Sequence, residues 1–488
     1  MPAPLVTPPQ PHGPVPTTRQ LQWHQHEFYG FLHFGVNTFT DREWGYGDED
    51  PALFNPTDFD ADQIASTAAA AGMTGLILTC KHHDGFCLWP SRYTQHSVRH
   101  SPWKSGEGDM VREISDACAR QGIRFGAYLS PWDRNHAEYG RPQYVDDYRK
   151  QLVELTTEYG DLFEVWFDGA NGGDGHYGGA NETRHIDRRT YYDWETTWQI
   201  IRKHQPGAVM FSDAGPDVRW VGNEKGIAGD PCWSTLSTKA LYPGFGGDWN
   251  TGFEPDMVNA WASDGQMLNE GDRGGDGWLP AECDVSVRPG WFYHTAEDDQ
   301  VRTPEQLLEL YFHSVGRGAS FLLNVPPDRR GRWHERDVES LLGFRRRLDD
   351  IFTRDLACEA QISASQTRGN ADEFAPGRLL DADPLTYWST DDDQVSAEVT
   401  LQFPSPVTLN LIRLREHLPL GQRVDKFILQ TRQGDEWQTF GQGSAIGNCR
   451  LLRGQTTTTT AVRIGILTGA ACPALQEIGI FYDSDAAE

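Results

Sequence analysis

The stretch Gly75-Leu-Ile-Leu-Thr-Cys-Lys81, running directly into His82-His83-Asp84-Gly85-Phe86, decides the fold. Seven residues with a continuous apolar run predict a strand buried on both faces, the kind found in parallel sheets covered by helices. Just before it, Asp60–Ala71 is Ala-rich behind an Asp cap and reads as a helix. Just after it, Met110–Gly122 reads as a helix with a Gly stop and Phe125–Ser130 as a strand. The alternation then continues: helix Tyr144–Gly160, strand Leu162–Asp168, helix Tyr191–His204, strand Ala208–Phe211, helix Pro304–Gly316, strand Ser320–Val325 and helix Glu335–Ile351. Upstream, Phe28-Tyr-Gly-Phe-Leu-His-Phe-Gly35 reads as the first strand. This pattern, with long polar insertions after the strands, predicts an α/β domain closed as a TIM-like (β/α) barrel. A doubly wound open sheet is the alternative, but no GxGxxG or Walker loop follows any strand. The Gly-rich piece Asn171–Ala180 lacks the P-loop Lys-Ser/Thr and reads as a flexible loop.

After about Ala357 the texture changes. Val399-Thr-Leu-Gln-Phe403, Leu409–Arg415, Phe427–Thr431 and Ala461–Ile466 alternate apolar and polar residues between Gly and Pro turns, which predicts an all-β sandwich. The expected organisation is a Pro-rich segment over 1–20, a barrel over 21–353 and a sandwich over 354–488.

Composition narrows the chemistry. The 488 residues carry a net charge of −27, which argues against a nucleic-acid partner. No apolar run is long enough to span a membrane, and the N-terminus lacks a basic and apolar leader pattern. The compartment stays open on this reading: periplasmic or secreted if a signal was removed, otherwise cytoplasmic. Eight cysteines without a CxxC pair read as buried free thiols. The surplus is aromatic: 17 Trp, 16 Tyr and 23 Phe in an acidic chain suit carbohydrate, whose C–H faces stack on rings while carboxylates bind hydroxyls. A large aromatic core is the alternative.

In a barrel the reactive groups project from the C-terminal ends of the strands. Those ends carry His33 with Glu43-Trp44 beyond it, then His82-His83, then Tyr128 and Trp132, then Trp166-Phe167-Asp168-Gly169. Asp168 before a Gly is placed as a glycosidase nucleophile would be, though it could equally cap the following loop. His82-His83 does not read as a metal pair, because adjacent strand residues face opposite ways; only in a turn could both meet one pocket. No GxSxG elbow accompanies a Ser/His/Asp set.

The strings Phe31-Leu-His-Phe-Gly35, Glu43-Trp44-Gly45, Lys81-His-His-Asp-Gly-Phe86 with Leu88-Trp89, Trp166-Phe-Asp-Gly169 and Gly318–Pro327 resemble the α-L-fucosidases of glycoside hydrolase family 29, over about Leu21–Phe352. The resemblance implies a (β/α) barrel and retaining hydrolysis through a covalent fucosyl-enzyme, with Asp168 as nucleophile. It implies fucose contacts from His33, Glu43, Trp44, His82, His83, Tyr128 and Trp166. Two residues compete for the acid/base role. Glu224, in Pro216–Glu224, lies in a string similar to the branch acting on branched α-1,3/1,4-fucosides, and Glu282 follows Trp278-Leu-Pro-Ala. Glu224 is favoured, since Arg219 beside it resembles the family's fucose-binding Arg; Arg219 is then expected at the sugar or the nucleophile. Broader or α-1,2 specificity, or a non-catalytic fucose-binding protein, are the alternatives.

The region Gly377–Thr390, with Leu414–Val424, is similar to discoidin-like sandwiches. Asp381, Asp383 and Asp391–Asp393 are hard oxygen donors of the type calcium takes, and a solvated acidic turn is the alternative. No cofactor or catalytic metal is expected. The expected partner is a fucosylated oligosaccharide or glycoconjugate, and the oligomeric state is not legible.

Overall fold

The computed structural model describes residues 6–212, 215–238 and 266–486. Eight parallel strands close into a barrel: β1 (Phe28–Leu32), β2 (Gly75–Lys81), β3 (Arg124–Leu129), β4 (Leu162–Trp166), β5 (Val209–Ser212), β6 (Val218–Trp220), β7 (Ala281–Ser286) and β8 (Ser320–Asn324). Each strand pairs with its neighbours in chain order, and β8 closes the ring on β1 through Phe28–Phe321 to Phe31–Asn324. The barrel is therefore TIM-like, as the alternation predicts, and the open sheet is excluded.

Helices cover the outside: α1 (Thr18–His24), α2 (Ala61–Ala70), α3 (Met110–Gln121), α4 (Pro142–Glu158), α5 (Trp194–His204), α6 (Pro304–His313) and α7 (Glu335–Phe352). Their ends follow local chemistry. Asp60 and Asp109 cap α2 and α3 by accepting from the Gln63 and Arg112 amides, Gly122 ends α3 in the left-handed region, and Thr17 and Thr303 open α1 and α6 with capping boxes. Helix α1 begins at Thr18, within the last residues of the Pro-rich 1–20 segment. Strands β6 and β7 have no counterpart in the sequence reading. Residues 213–217 alone separate β5 from β6, too few for a helical crossover.

The C-terminal part is antiparallel. Two 20-residue strands, Ala397–Glu416 and Arg450–Gly469, run side by side with register breaks between Gln402 and Val407 and between Leu409 and Leu411. Such breaks bend the sheet, and the β-sandwich encloses a core containing Trp388, Leu401, Phe427, Ile464 and Ile478. It docks on the barrel through Arg450–Asp230 (2.7 Å), Arg273–Asp425 (2.6 Å) and Arg347–Asp483 (3.0 Å). Residues of the N-terminal segment lie along it: Arg423 donates to the Gln10 carbonyl at 2.9 Å and Arg368 to that of Thr7 at 2.6 Å. All eight cysteines are free; Cys358 is exposed, against the expectation of burial, and the other seven are buried. No helix among the described residues is long and apolar enough to cross a membrane.

Candidate active site

A pocket of about 690 Å³ opens at the C-terminal ends of the strands. Its lining joins His33, Glu43, Trp44, His82, His83, Trp166 and Asp168 to Glu224, Asp284, Trp220 and Trp291, with Phe31 and Phe211 beneath. Tyr128, fully buried, stands behind and reaches the pocket through Asp168.

Each strand end turns so as to aim its residues. Strand β2 stops at Lys81 and the chain turns through His82–Gly85, with the Gly85 amide donating to the His82 carbonyl at 3.0 Å. Gly85 is in the left-handed region at φ +83°, and a Cβ there would lie 2.2 Å from Asp133 Oδ1, so the turn requires Gly. That turn is why both His82 and His83 face one cavity, which a strand would forbid.

Burial pushes His33 and His83 down to about 3 and His82 well below its ordinary value, so all three rings are neutral at neutral pH. Hydrogen bonding fixes two of their tautomers. His33 Nδ1 donates to Asn324 Oδ1 at 2.9 Å. Ser130 Oγ gives its proton to the Trp132 carbonyl and accepts from His83 Nδ1 at 2.7 Å. The Nε2 of both rings is left as an acceptor, suited to a sugar hydroxyl. His83 Nε2 lies 3.8 Å from Asp168 Oδ1.

Asp168 sits two residues past β4. Its Oδ1 accepts from the Ala170 amide at 2.7 Å and its Oδ2 from the Tyr128 hydroxyl at 3.1 Å. Burial pushes its pKa up to about 6, and the two donors oppose that rise. The local capping role and an orientation into the pocket thus coexist in one carboxyl.

Glu224 enters on the loop after β6. Its Oε2 accepts from Trp291 Nε1 at 3.2 Å, and its pKa is raised by burial, with the charges on Asp168 and Glu43 adding to the rise. Trp291 is held in turn by Glu43, which accepts from the Trp291 and Phe292 amides at 2.8 and 3.2 Å and contacts His294 Nε2 at 2.6 Å. Trp166 forms the floor, stacked on Phe211 at 4.1 Å and 9° and on Tyr128 at 5.3 Å and 26°. Trp44, 38% exposed, stands at the rim with its ring edge-on to His83 and Trp132.

One expectation is corrected, and the runner-up for the acid/base falls away. Arg219 does not reach the sugar pocket or Asp168: β6 turns Trp220 inward, so Arg219 faces outward. It is fully buried there, donating to the Leu268, Leu279 and Trp233 carbonyls. Glu282 lies below the pocket in the barrel core, bonded to Tyr29 and Trp166, and is no rival to Glu224 for contact with a ligand. Trp89 and Trp132 are core residues, Trp89 bonded to Glu154 at 2.8 Å. Trp233, which the loop after Glu224 offers as a stacking platform for the leaving-group sugar, is buried against Arg273, and Trp249, a second such candidate, lies outside the described residues.

Asp284 and Trp220 were missed. Asp284 Oδ1 accepts from Trp220 Nε1 at 2.8 Å, and burial raises its pKa well above the carboxylate range, Glu224 adding to the rise. A carboxylate two residues past Glu282 on one strand face was the available signal. Among the described residues no group of three or more His, Cys, Asp or Glu is placed to hold a metal ion. The sandwich carboxylates serve the chain itself: Asp381 accepts from Thr386 Oγ1 at 2.9 Å and Asp392 pairs with Arg368 at 2.7 Å.

Comparison with known proteins places the chain in a family. The α-L-fucosidase family matches residues 15–227. The chain is 42% identical over 451 residues to α-L-fucosidase 1 of Arabidopsis thaliana, covering 91% of this chain and 83% of the relative. Among solved structures, a glycoside hydrolase 29 family member from an unknown rumen bacterium superposes with a TM-score of 0.84 at 40% identity, covering 97% of this chain and 78% of that one. A Ruminococcus gnavus GH29 fucosidase in complex with fucose gives 0.87 at 32% identity, covering 100% and 98%.

Proposed function

Because the chain belongs to the α-L-fucosidases of glycoside hydrolase family 29, a family of glycosidases, we propose that it is a retaining exo-α-L-fucosidase in which Asp168 is the nucleophile and Glu224 the acid/base, releasing α-1,3/1,4-linked fucose from branched, Lewis-type glycans. The observation that carries this reading is that Asp168 and Glu224 line one pocket floored by Trp166, while Glu282 is sequestered beneath it.

Retention needs one carboxyl ionised for attack and a second protonated for the leaving group. Asp168, pushed up only to about 6, is mostly anionic at neutral pH, and its bonds from Tyr128 and Ala170 hold the anion in place. Among the described residues no arginine pairs with Asp168; the neighbouring histidines are neutral and serve as acceptors. Burial raises the pKa of Glu224, the Trp291 N–H opposes that rise, and the charge on Asp168 adds to it, which favours the protonated form that the acid step needs. As it donates its proton to the departing glycosidic oxygen, Asp168 bonds to the anomeric carbon and loses its charge. The Asp168 charge that helped raise Glu224 is then gone, and Glu224 becomes the base that takes a proton from the incoming water.

The fucose ring would rest on Trp166, with hydroxyls on the Nε2 acceptors of His33 and His83, and the leaving-group sugar would meet Trp44 at the rim. The substrate is thus a fucosylated oligosaccharide or glycoconjugate. We read the C-terminal sandwich as discoidin-like on the Gly377–Thr390 string, a domain able to hold glycans near the barrel.

The test is product analysis on Lewis-type trisaccharides beside 2′-fucosyllactose and an aryl α-L-fucoside, with the anomer of the first-formed fucose read by proton NMR. The reading expects α-fucose first and preference for the Lewis-type substrates. β-Fucose as the first product would overturn retention, and preference for 2′-fucosyllactose would overturn the linkage.

A further inference from the structure

Beneath the pocket floor, Glu164 on β4 and Glu282 on β7 face each other across the barrel, both fully buried. Trp23 Nε1 donates to Glu164 Oε2 at 2.9 Å. Trp166 Nε1 donates to Glu282 Oε1 at 2.7 Å, and the Tyr29 hydroxyl donates to Glu282 Oε2. That leaves Glu164 Oε1, buried and without a donor. The group it meets is the Glu282 carboxyl, at hydrogen-bonding range. Among the described residues neither carboxyl has a cationic partner.

Two acceptor oxygens cannot bond each other without a proton between them, and two adjacent carboxylates in an apolar core cannot both be charged. We propose that Glu164 and Glu282 form a proton-sharing carboxyl pair whose task is to position Trp166 under the bound sugar. The inference rests on the fucosidase reading of the pocket. Glu164 carries the proton on Oε1 and donates it to Glu282. Glu282 remains the anion, and three donors, from Trp166, Tyr29 and Glu164, solvate it in place of water.

Burial raises both groups, Glu164 further than Glu282, whose donors from Tyr29 and Trp166 oppose the rise, which accords with the proton residing on Glu164. A charge-assisted bond to the indole N–H fixes the rotation of Trp166 about its own bond. Trp166 in turn stacks on Tyr128, whose hydroxyl bonds Asp168. The pair thus sets the floor and, through Tyr128, the carboxyl above it. Both glutamates are positioning residues, since neither lines the pocket.

Two measurements test this. In the infrared difference spectrum of wild type minus Glu164→Gln at neutral pH, the pair predicts loss of one protonated-acid carbonyl band. An unchanged protonated-acid region would overturn the shared proton without any assay of activity. In kinetics on an aryl α-L-fucoside, Glu164→Leu removes the donor and should raise KM about tenfold with a smaller change in kcat. Glu164→Gln, whose amide can replace the lost O–H, should recover most of that loss. Equal losses in the two variants would overturn the positioning role. Should Glu164→Leu fail to fold, the spectrum of the isosteric Gln variant still decides. A wild type inactive on every fucoside would instead sink the fucosidase reading and leave the spectral test standing.

Discussion

The two halves of the barrel rim are built differently. From β1 to β4 the strands are apolar and are joined through helices, and His33, His82, His83, Trp166 and Asp168 project from their ends. From β5 to β7 the strands are shorter or polar and β5 meets β6 without a helix. This half supplies Trp220, Glu224 and Asp284, with Trp291 in the loop beyond β7. The first half holds its reactive carboxyl by two fixed donors. The second holds its carboxyl by a single indole N–H on a loop. A nucleophile must be in place before the substrate arrives, whereas an acid that becomes a base benefits from an environment that changes during the reaction.

The sharpest way to break that contrast is at Asp168. Asp168→Asn removes the attacking anion but keeps shape and the Tyr128 contact. Turnover should fall about 10⁴-fold or more, with fold and fucose binding retained. Retained turnover would remove the first half's claim to the nucleophile. Glu224→Ala should cost less, about 10²- to 10³-fold on oligosaccharides. The loss should be far smaller on an activated aryl fucoside, and azide should restore rate. A loss independent of the leaving group would deny Glu224 the acid role.

The same contrast explains what the sequence made legible. Gly75–Lys81 is a largely apolar run, and Leu162–Trp166 is one broken only by Glu164, because both their faces are covered, so strand, position and end residues could all be read from them. Ala281-Glu-Cys-Asp-Val-Ser286 turns Glu282 and Asp284 into the barrel and Cys283 outward, which inverts the usual pattern of apolar residues inward. Val218-Arg-Trp220 is too short for periodicity to register. Arg219 was misplaced for that reason: without a strand assignment, nothing said that Trp220 and Arg219 face opposite ways. Trp291 lies in an irregular loop beyond β7, and only the folded loop brings its N–H to Glu224. Glu43 was read as a sugar contact, and the structure adds that it clamps that loop.

The pH profile sharpens the comparison further. Asp168 must be ionised, so kcat/KM should rise with pH through a limb near Asp168's value of about 6. Glu224 must be protonated, so the rate should fall at higher pH as Glu224 ionises. Tyr128→Phe removes one donor to the Asp168 anion, and loss of that stabilisation should move the acid limb to higher pH. A fixed limb would mean that the hydroxyl does not bond the anion.

A smaller effect belongs to the rim. Trp44 is the most exposed ring of the pocket group among the described residues, and its ring lies edge-on to His83 and Trp132. Trp44→Ala should raise KM for Lewis-type oligosaccharides about three- to tenfold, the loss expected for one stacking ring, and should change the aryl fucoside less. Equal losses on both substrates would move Trp44 from the leaving-group side to the fucose ring.

The smallest effect is expected at Asp284, and it bears on how the second half keeps Glu224 protonated. Asp284 is buried beside Glu224, and an ionised Asp284 would raise Glu224 by like-charge repulsion. Burial instead raises Asp284 well above the carboxylate range, with Glu224's own charge adding to the rise, so Asp284 is the neutral member of the two when Glu224 titrates. Asp284→Asn then exchanges one neutral group for another of the same shape, and its carbonyl can still accept from Trp220 Nε1. The alkaline limb of kcat/KM should stay where it is. Were Asp284 an anion in the working enzyme, its removal would lower Glu224 and draw that limb to lower pH. The direction of the limb therefore separates a pocket with two working carboxyls and a silent third from one in which all three share the charge.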